Sequence, residues 1–354
     1  MPFCNALTNH MCITVAASWR PCCRFNNFPL VDINQVDFKS YQDSDFYKSI
    51  KSDMFSGWSS GCKKCKEEEE RGQTSLREVL NKTLSGSSDI EYVEISLSNN
   101  CNLACKMCSP TYSTFWNKLV TDNQVLNDYY TTTIQPTISV EKIFSTIDLS
   151  KLKKIKYLGG EPFITPEIKE LFEFLEIKGI IQNIEFECNT NCTLFPTKWL
   201  HYLDKFKKVT IELSIDGVGL VNDYIRYGKM WNTIEKNIIK WSKTDYDVNV
   251  YSTVQAYNLH DMKNVKELAN SLSLKHYSSL LVVPEFLSVH TLPLDYLEII
   301  KDNYNQKYFK SIKNNNKFAE LTKFTKTIDN ITGLHLKNVV PLLYNFMENN
   351  NESN

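Results

Sequence analysis

The sequence has no cysteine after residue 192, no run of about 18 apolar residues, and no surplus of either charge. By the last absence, nothing in the overall balance advertises a nucleic-acid partner, and a local basic patch stays open. With 40 basic and 41 acidic residues the formal charge is −1, so the footprint of a nucleic-acid binder is missing. No membrane span is expected without a long apolar run. The opening MPFCNALTNHMC carries neither a basic n-region nor an apolar core, which leads to the expectation of a cytoplasmic protein without a secretory leader. Eleven cysteines confined to the first 192 residues suit metal ligation in a reducing compartment better than a disulfide framework. No repeat of fixed period is visible.

What is present reads as globular, 42% apolar and 23% charged. Residues 1–85 are short irregular pieces rich in cysteine, closed by a serine and glycine boundary at 85–88. Strands are then expected near 90–97, 153–158, 181–188, 207–215, 247–255 and 277–283, with helices near 112–121, 166–178, 197–205, 231–242 and 260–272. Six strands with helical crossovers give a parallel sheet, too short to close an eight-stranded barrel. The fold expected over 86–290 is therefore α/β, a partial (β/α)6 TIM-type barrel, followed by a helical extension over 291–354. The EEEE run at 67–70 reads as a solvated helix face.

The chemistry is carried by NNCNLACKMCSP, in which Cys101, Cys105 and Cys108 stand in a loop that follows the first strand of the series. Active sites of parallel α/β architectures assemble at that end of the strands. Three thiolates on a cubane leave one iron without a protein ligand, open to a small molecule. Zinc would need a fourth ligand, and no histidine lies nearby: the nearest are His10 and His201. The second strand runs into LGGEP, where Gly159 and Gly160 permit close backbone approach and Glu161 offers a carboxylate. Ser214 and Asp216, two apart at the end of the fourth strand, share one face. Cys62 and Cys65 form a C-x2-C knuckle, open to zinc or iron-sulfur alike. Cys188 and Cys192 read most simply as small buried residues.

CNLACKMC resembles the cluster signature of the radical S-adenosylmethionine (SAM) enzymes, and the partial barrel is that family's fold. The resemblance implies a [4Fe-4S] cluster on Cys101, Cys105 and Cys108, its open iron chelated by SAM, with the main chain at Met107 against adenine. It implies that Gly159, Gly160 and Glu161 receive the SAM amino group, and that Ser214, Asp216 and Arg226 serve its ribose or carboxylate. Thr190 and Asn191 resemble a Thr-Asn-Gly turn in which Cys192 replaces glycine, and Gln255 stands where a residue near adenine is expected. The N-terminal cysteines are similar to those of twitch-domain relatives of the SPASM group. By that likeness Cys4, Cys22, Cys62 and Cys65 hold an auxiliary iron-sulfur cluster, with Cys23 as the rival of Cys22 and no counterpart for Cys12. The implied enzyme cleaves SAM reductively and abstracts hydrogen from a peptide or small metabolite, using an external donor such as flavodoxin or ferredoxin. Catalytic residues beyond the cluster are not identified. A nucleoside, RNA or sugar substrate is the alternative, and a non-catalytic zinc or iron-sulfur scaffold is the alternative of another class.

Overall fold

The structure is a computed structural model that describes residues 3–133, 136, 138–303, 312 and 314–351. In chain order its strands are β1 (His10–Ile13), β2 (Trp19–Arg20), β3 (Tyr92–Ser96), β4 (Ala104–Cys105), β5 (Lys154–Leu158), β6 (Glu185–Thr190), β7 (Lys208–Ser214), β8 (Arg226–Tyr227), β9 (Asp247–Val254) and β10 (Lys275–Leu280). The chain forms two compact units, each assembled from separate stretches. One comprises residues 1–100, 134–188 and 197–209; the other comprises 101–133, 189–196 and 210–354.

In the first unit the strand order is β6-β5-β3-β1-β2, parallel except for β2. In the second, β10, β9 and β7 run parallel, and β4 and β8 form a separate antiparallel ribbon. The outermost strands, β2 and β10, each have one neighbour, so the fold is the expected open α/β arrangement rather than a closed barrel. All six expected strands are found, each within a few residues of its expected place. Strand β1 is an addition, in a stretch expected to be irregular. It is four residues long and buried throughout, so it has no alternation of apolar and polar residues by which to be seen. Expected helices appear at Thr114–Asp122, Glu167–Ile177, Trp231–Trp241 and Met262–Ser271, and a 3-10 turn with a short helix spans 197–203. Among the described residues no helix is long and apolar enough to cross a membrane.

Alternation of side chains gives the strands two unlike faces. On β5, Ile155 and Tyr157 are buried, and Lys154 and Lys156 are half-buried on the opposite face. That second face carries a row in strict register, Cys12 opposite Glu94, Glu94 opposite Lys156, and Lys156 opposite Glu187. Both Lys154 and Lys156 bond to Glu187. Burial raises the Glu187 carboxyl, yet the two lysines outweigh it and hold the group down at about 2.

His10, at the start of β1, is 1% exposed, packed at a tilt against Tyr92 with ring centroids 4.6 Å apart, and has its Nε2 3.7 Å from the Glu94 carboxylate. Neither ring nitrogen has a hydrogen-bond partner. Burial, reinforced by Lys154, pushes its imidazole down to about 3. The unfolded chain takes up a proton near pH 6.5 that the folded one refuses, so the unfolded state binds more protons over this window. His10 therefore leaves stability intact above pH 6.5 and lowers it as the pH falls toward 3. Anaerobic urea unfolding of wild type should lose on the order of 2 kcal/mol between pH 6.5 and 5 that a His10→Phe variant does not lose. Equal slopes for the two proteins would show that His10 is not held neutral.

Candidate functional site

The cysteine loop is built within the second unit. Leu103 and Ala104 anchor it in the core, and Cys105 pairs through the backbone with Arg226 in the β4–β8 ribbon. Ser113 caps the helix Thr114–Asp122 by accepting from the Trp116 amide, and its hydroxyl donates to the Leu103 carbonyl at 2.6 Å. The Trp116 indole donates to the Cys105 carbonyl at 2.8 Å, and Thr114 bonds both main-chain groups of Cys101. The loop is thus fixed by a helix start on one side and a two-residue ribbon on the other. Cys101 and Cys108 remain partly exposed, and Cys105 is buried.

The Arg226 side chain links three elements. Its guanidinium lies 2.7 Å from the Asp216 carboxylate and 3.8 Å from Cys105 Sγ. Asp216 Oδ1 in turn accepts the Thr253 amide at 2.7 Å. Burial pushes the Cys105 thiol up, and Arg226 opposes that shift. Cys108 is raised too, by burial and then by the other two cysteines of the trio. Two of the three thiols, Cys105 and Cys108, thus resist ionisation beside one fixed cation, a donor set that suits a metal cluster, whose own charge would make thiolates favourable.

Asn191 reaches the same loop, its Nδ2 lying 3.8 Å from Cys101 Sγ and donating to Asn102 Oδ1 at 3.0 Å. The turn that presents it holds Cys192 at φ 60, the left-handed region that accounts for glycine at this point of the related motif. Cys192 is fully buried, as is Cys188. Ser214 ends β7 opposite Tyr251 and is half-buried. Gln255 is fully buried, and among the described residues both polar atoms of its amide are without a hydrogen-bond partner. A buried amide with nothing to bond fits a polar ligand better than a dry core. Met107 lies partly exposed in the turn between the last two cysteines.

The residue between Cys105 and Met107 was not visible as a site residue. Lys106 is fully buried, with Nζ 3.8 Å above the Tyr224 ring. Tyr224 donates to Asp329 at 2.7 Å, and Tyr257 bonds Thr325 at 2.7 Å. Both partners lie on the helix Phe318–Thr332. The C-terminal extension therefore braces the loop from behind.

The glycine motif lies in the first unit. Gly159 has φ 129, and a Cβ there would meet the Ser98 carbonyl at 2.5 Å; one on Gly160 would run into the Asn99–Asn100 backbone. The Gly160 amide donates to Ser98 and the Glu161 amide to Asn100, at 3.0 and 2.7 Å. Only residues without side chains allow that approach. Glu161 is 1% exposed and accepts the Phe163 amide.

Also in the first unit, Cys4, Cys22, Cys62 and Cys65 line one cavity, together with Arg24, Arg77 and an apolar shell that includes Phe25, Met54, Trp58 and Leu80. Burial pushes the Cys4 thiol up to about 11 and those of Cys22 and Cys62 to about 12, with neighbouring cysteines adding to each. Cys23 turns instead to Glu94, to which it donates a hydrogen bond, and Cys12 is buried in β1. The glutamate run corrects the sequence reading in part. Glu70 is exposed and Glu67 partly so, whereas the Glu68 and Glu69 side chains are 19% exposed and bind Arg24 and Arg77. Among the described residues, no three His, Cys, Asp or Glu side chains are grouped to hold a single metal ion. A cubane has four separate irons at its corners and spreads its ligands more widely.

The family model for the radical SAM superfamily matches residues 95–272. The chain is 27% identical over 156 residues to a GTP 3',8-cyclase of Desulforamulus reducens, covering 42% of each protein. It is 29% identical over 170 residues to molybdenum cofactor biosynthesis protein 1 of Dictyostelium discoideum, covering 45% of this chain and 23% of that one. The chain thus spans less than half the length of these curated relatives. Among solved structures, Streptococcus suis SuiB bound to its precursor peptide SuiA matches with a TM-score of 0.41 at 15% identity, over 80% of this chain and 64% of that chain. TYW1 with a lysine-pyruvate adduct matches with a TM-score of 0.35 at 15% identity, over 60% of this chain and 74% of that one.

The buried ion pair is directly testable. Arg226→Met leaves Asp216 buried without its cation and should cost about 3–5 kcal/mol of unfolding free energy in urea. The double variant Arg226→Met/Asp216→Leu should recover most of that loss. Failure of the second substitution to recover stability would show that the pair does not act as a unit.

Proposed function

The chain belongs to the radical SAM superfamily, and from that premise we propose that it cleaves S-adenosylmethionine reductively and directs the resulting 5'-deoxyadenosyl radical at a C–H bond of a peptide or small-metabolite substrate. The observation that carries the proposal is the loop of Cys101, Cys105 and Cys108, fixed against Arg226 with no fourth cysteine in its sequence. When bound, a [4Fe-4S] cluster would supply the electron that breaks the sulfonium C–S bond.

The chain's own residues then have separable tasks. Cys101, Cys105 and Cys108 would hold the cluster, and Arg226 would offset thiolate charge from the side of Cys105. Asp216 keeps that guanidinium aimed, which makes it a positioning residue. Asn191 would donate toward Cys101. For SAM itself we assign Gly159, Gly160 and Glu161 to the amino group, Thr190 and Ser214 to the ribose or carboxylate end, and Met107 and Gln255 to adenine. The unpartnered Gln255 amide supports the last of these.

We assign Cys4, Cys22, Cys62 and Cys65 to an auxiliary iron-sulfur cluster of the twitch type, with Cys22 preferred to Cys23 because Cys22 lines the cavity. In this reading residues 1–85 form the auxiliary region, 86–290 the radical SAM core and 291–354 an extension that braces the cysteine loop. The protein works in the cytoplasm with flavodoxin or ferredoxin as donor. A nucleotide substrate is the second reading, favoured by the match to a protein named GTP 3',8-cyclase.

Anaerobically reconstituted protein should be brown and, with dithionite, convert SAM to methionine and 5'-deoxyadenosine, followed by chromatography. Cys105→Ala should lower that rate by at least about a hundredfold, equivalent to about 2.7 kcal/mol. Cleavage at the wild-type rate would remove the trio from the mechanism. Deuterium transfer into 5'-deoxyadenosine from labelled peptides, against labelled GTP, separates the two substrate readings.

A further inference from the structure

The helix Lys63–Glu70 presents Cys65 to the N-terminal cavity, and Glu68 and Glu69 follow it by three and four residues. That spacing puts both carboxylates on the same side as the thiol. Two more negative groups beside four thiols would oppose any further negative charge there. Each is instead occupied by an arginine that itself lines the cavity. Arg77 makes two bonds to Glu69, at 2.6 and 2.9 Å, donates to the Phe3 carbonyl at 3.1 Å and lies over the Trp58 ring at 5.4 Å. Arg24 binds Glu68. Apart from the thiols, the other cavity-lining side chains are apolar, so charges act there with little screening.

We propose that Arg24 and Arg77, held in place by Glu68 and Glu69, set the reduction potential of the auxiliary cluster bound by Cys4, Cys22, Cys62 and Cys65, raising it so that the cluster works as an electron acceptor. The inference rests on the reading of these four cysteines as ligands. Reduction of a four-thiolate [4Fe-4S] centre from the 2+ to the 1+ state adds one electron and no proton, hence one negative charge. A guanidinium fixed nearby stabilises the more negative state and moves the potential upward. Arginine suits the task because it does not lose its proton when buried. The carboxylates pull the other way and offset part of this effect, while they hold the guanidinium groups against the cavity. Arg77 bears electrostatically on Cys4 and Cys62, and Arg24 on Cys65. Four cysteines on one cavity also leave no iron short of a protein ligand, which suits electron transfer rather than substrate binding.

The test uses the full chain with Cys101, Cys105 and Cys108 all changed to Ser, so that the remaining signal is the auxiliary one. Dithionite titration followed by electron paramagnetic resonance gives the midpoint potential. In that background Arg77→Gln leaves Glu69 uncompensated and should shift the midpoint downward. Glu69→Gln frees the Arg77 charge and should shift it upward. Arg77→Lys should stay near the parent. The independent pair Arg24→Gln and Glu68→Gln should show the same opposite signs, which decides the matter if an Arg77 variant loses its cluster. Shifts in one direction for both members of each pair, or none at all, would overturn the inference while leaving the cluster assignment standing. Absence of a four-iron signal from the parent triple variant would overturn the assignment and the inference with it.

Discussion

The buried guanidinium of Arg226 is the constraint on which the cysteine loop depends. A charge of that kind is tolerated in a low-dielectric interior only if it is paired, and Arg226 sets its two terminal nitrogens against Asp216 and Cys105 Sγ, while its Nε has no partner among the described residues. Its backbone meanwhile pairs with Cys105 in a ribbon only two residues long, too short to hold register unaided. Side chain and main chain thus fix one residue pair by different means. The position of Cys105 follows, and with it the turn to Cys108, whose amide donates back to the Cys105 carbonyl at 2.8 Å. Lys106 adds a second buried cation to the same loop. It is accommodated by the face of Tyr224, and Asp329 fixes Tyr224 from the C-terminal helix. The C-terminal helix Phe318–Thr332 thus has a mechanical task.

How much of this the sequence discloses depends on the range of the interaction. The spacing of Cys101, Cys105 and Cys108 and the pair Gly159–Gly160 are local patterns, readable because loop geometry demands those residue types at those distances. All six strands of the series were legible from alternation and from turn residues between them. Strand β1 was not, since four buried residues have no polar face to mark a period. The β4–β8 ribbon was not, because two residues carry no period at all. Glu68 and Glu69 looked like solvated charge, and only the return of Arg24 and Arg77 from distant positions makes them part of a site. Cys22 and Cys23 stood as equivalents in the sequence, although adjacent residues point different ways. The structure gives the first to the cavity and the second to Glu94.

The row from Cys12 through Glu94 and Lys156 to Glu187 illustrates a different limit. Each residue alone is an ordinary strand position, and nothing in its neighbours along the chain predicts its partner. Register supplies the meaning, because a shift of one residue would exchange this charged face for the apolar face of Ile155 and Tyr157. The two lysines then hold Glu187 ionised against its burial, whereas Glu94, with less opposing charge, is raised by its own. One strand face therefore contains a carboxylate held charged and another pushed toward neutrality, a contrast set by pairing rather than by residue type.

A common device links the two cysteine sets. In each, burial raises the cost of ionising some of the thiols, Cys105 and Cys108 in one set and Cys4, Cys22 and Cys62 in the other, and in each the nearby cation is an arginine tied to a carboxylate: Arg226 to Asp216, Arg77 to Glu69, Arg24 to Glu68. Lysine would be the weaker choice, since a buried ammonium can shed its proton, as the depressed Lys106 shows at about 7. The carboxylate has a cost, for it returns a negative charge to the neighbourhood of sulfur. Its benefit is direction, clearest for Arg77, whose guanidinium is bound on one edge by both Glu69 oxygens and so has its remaining N–H groups aimed. Electrostatic help then comes from orientation instead of net charge, so the interior need not carry an excess of cations when no cluster is bound.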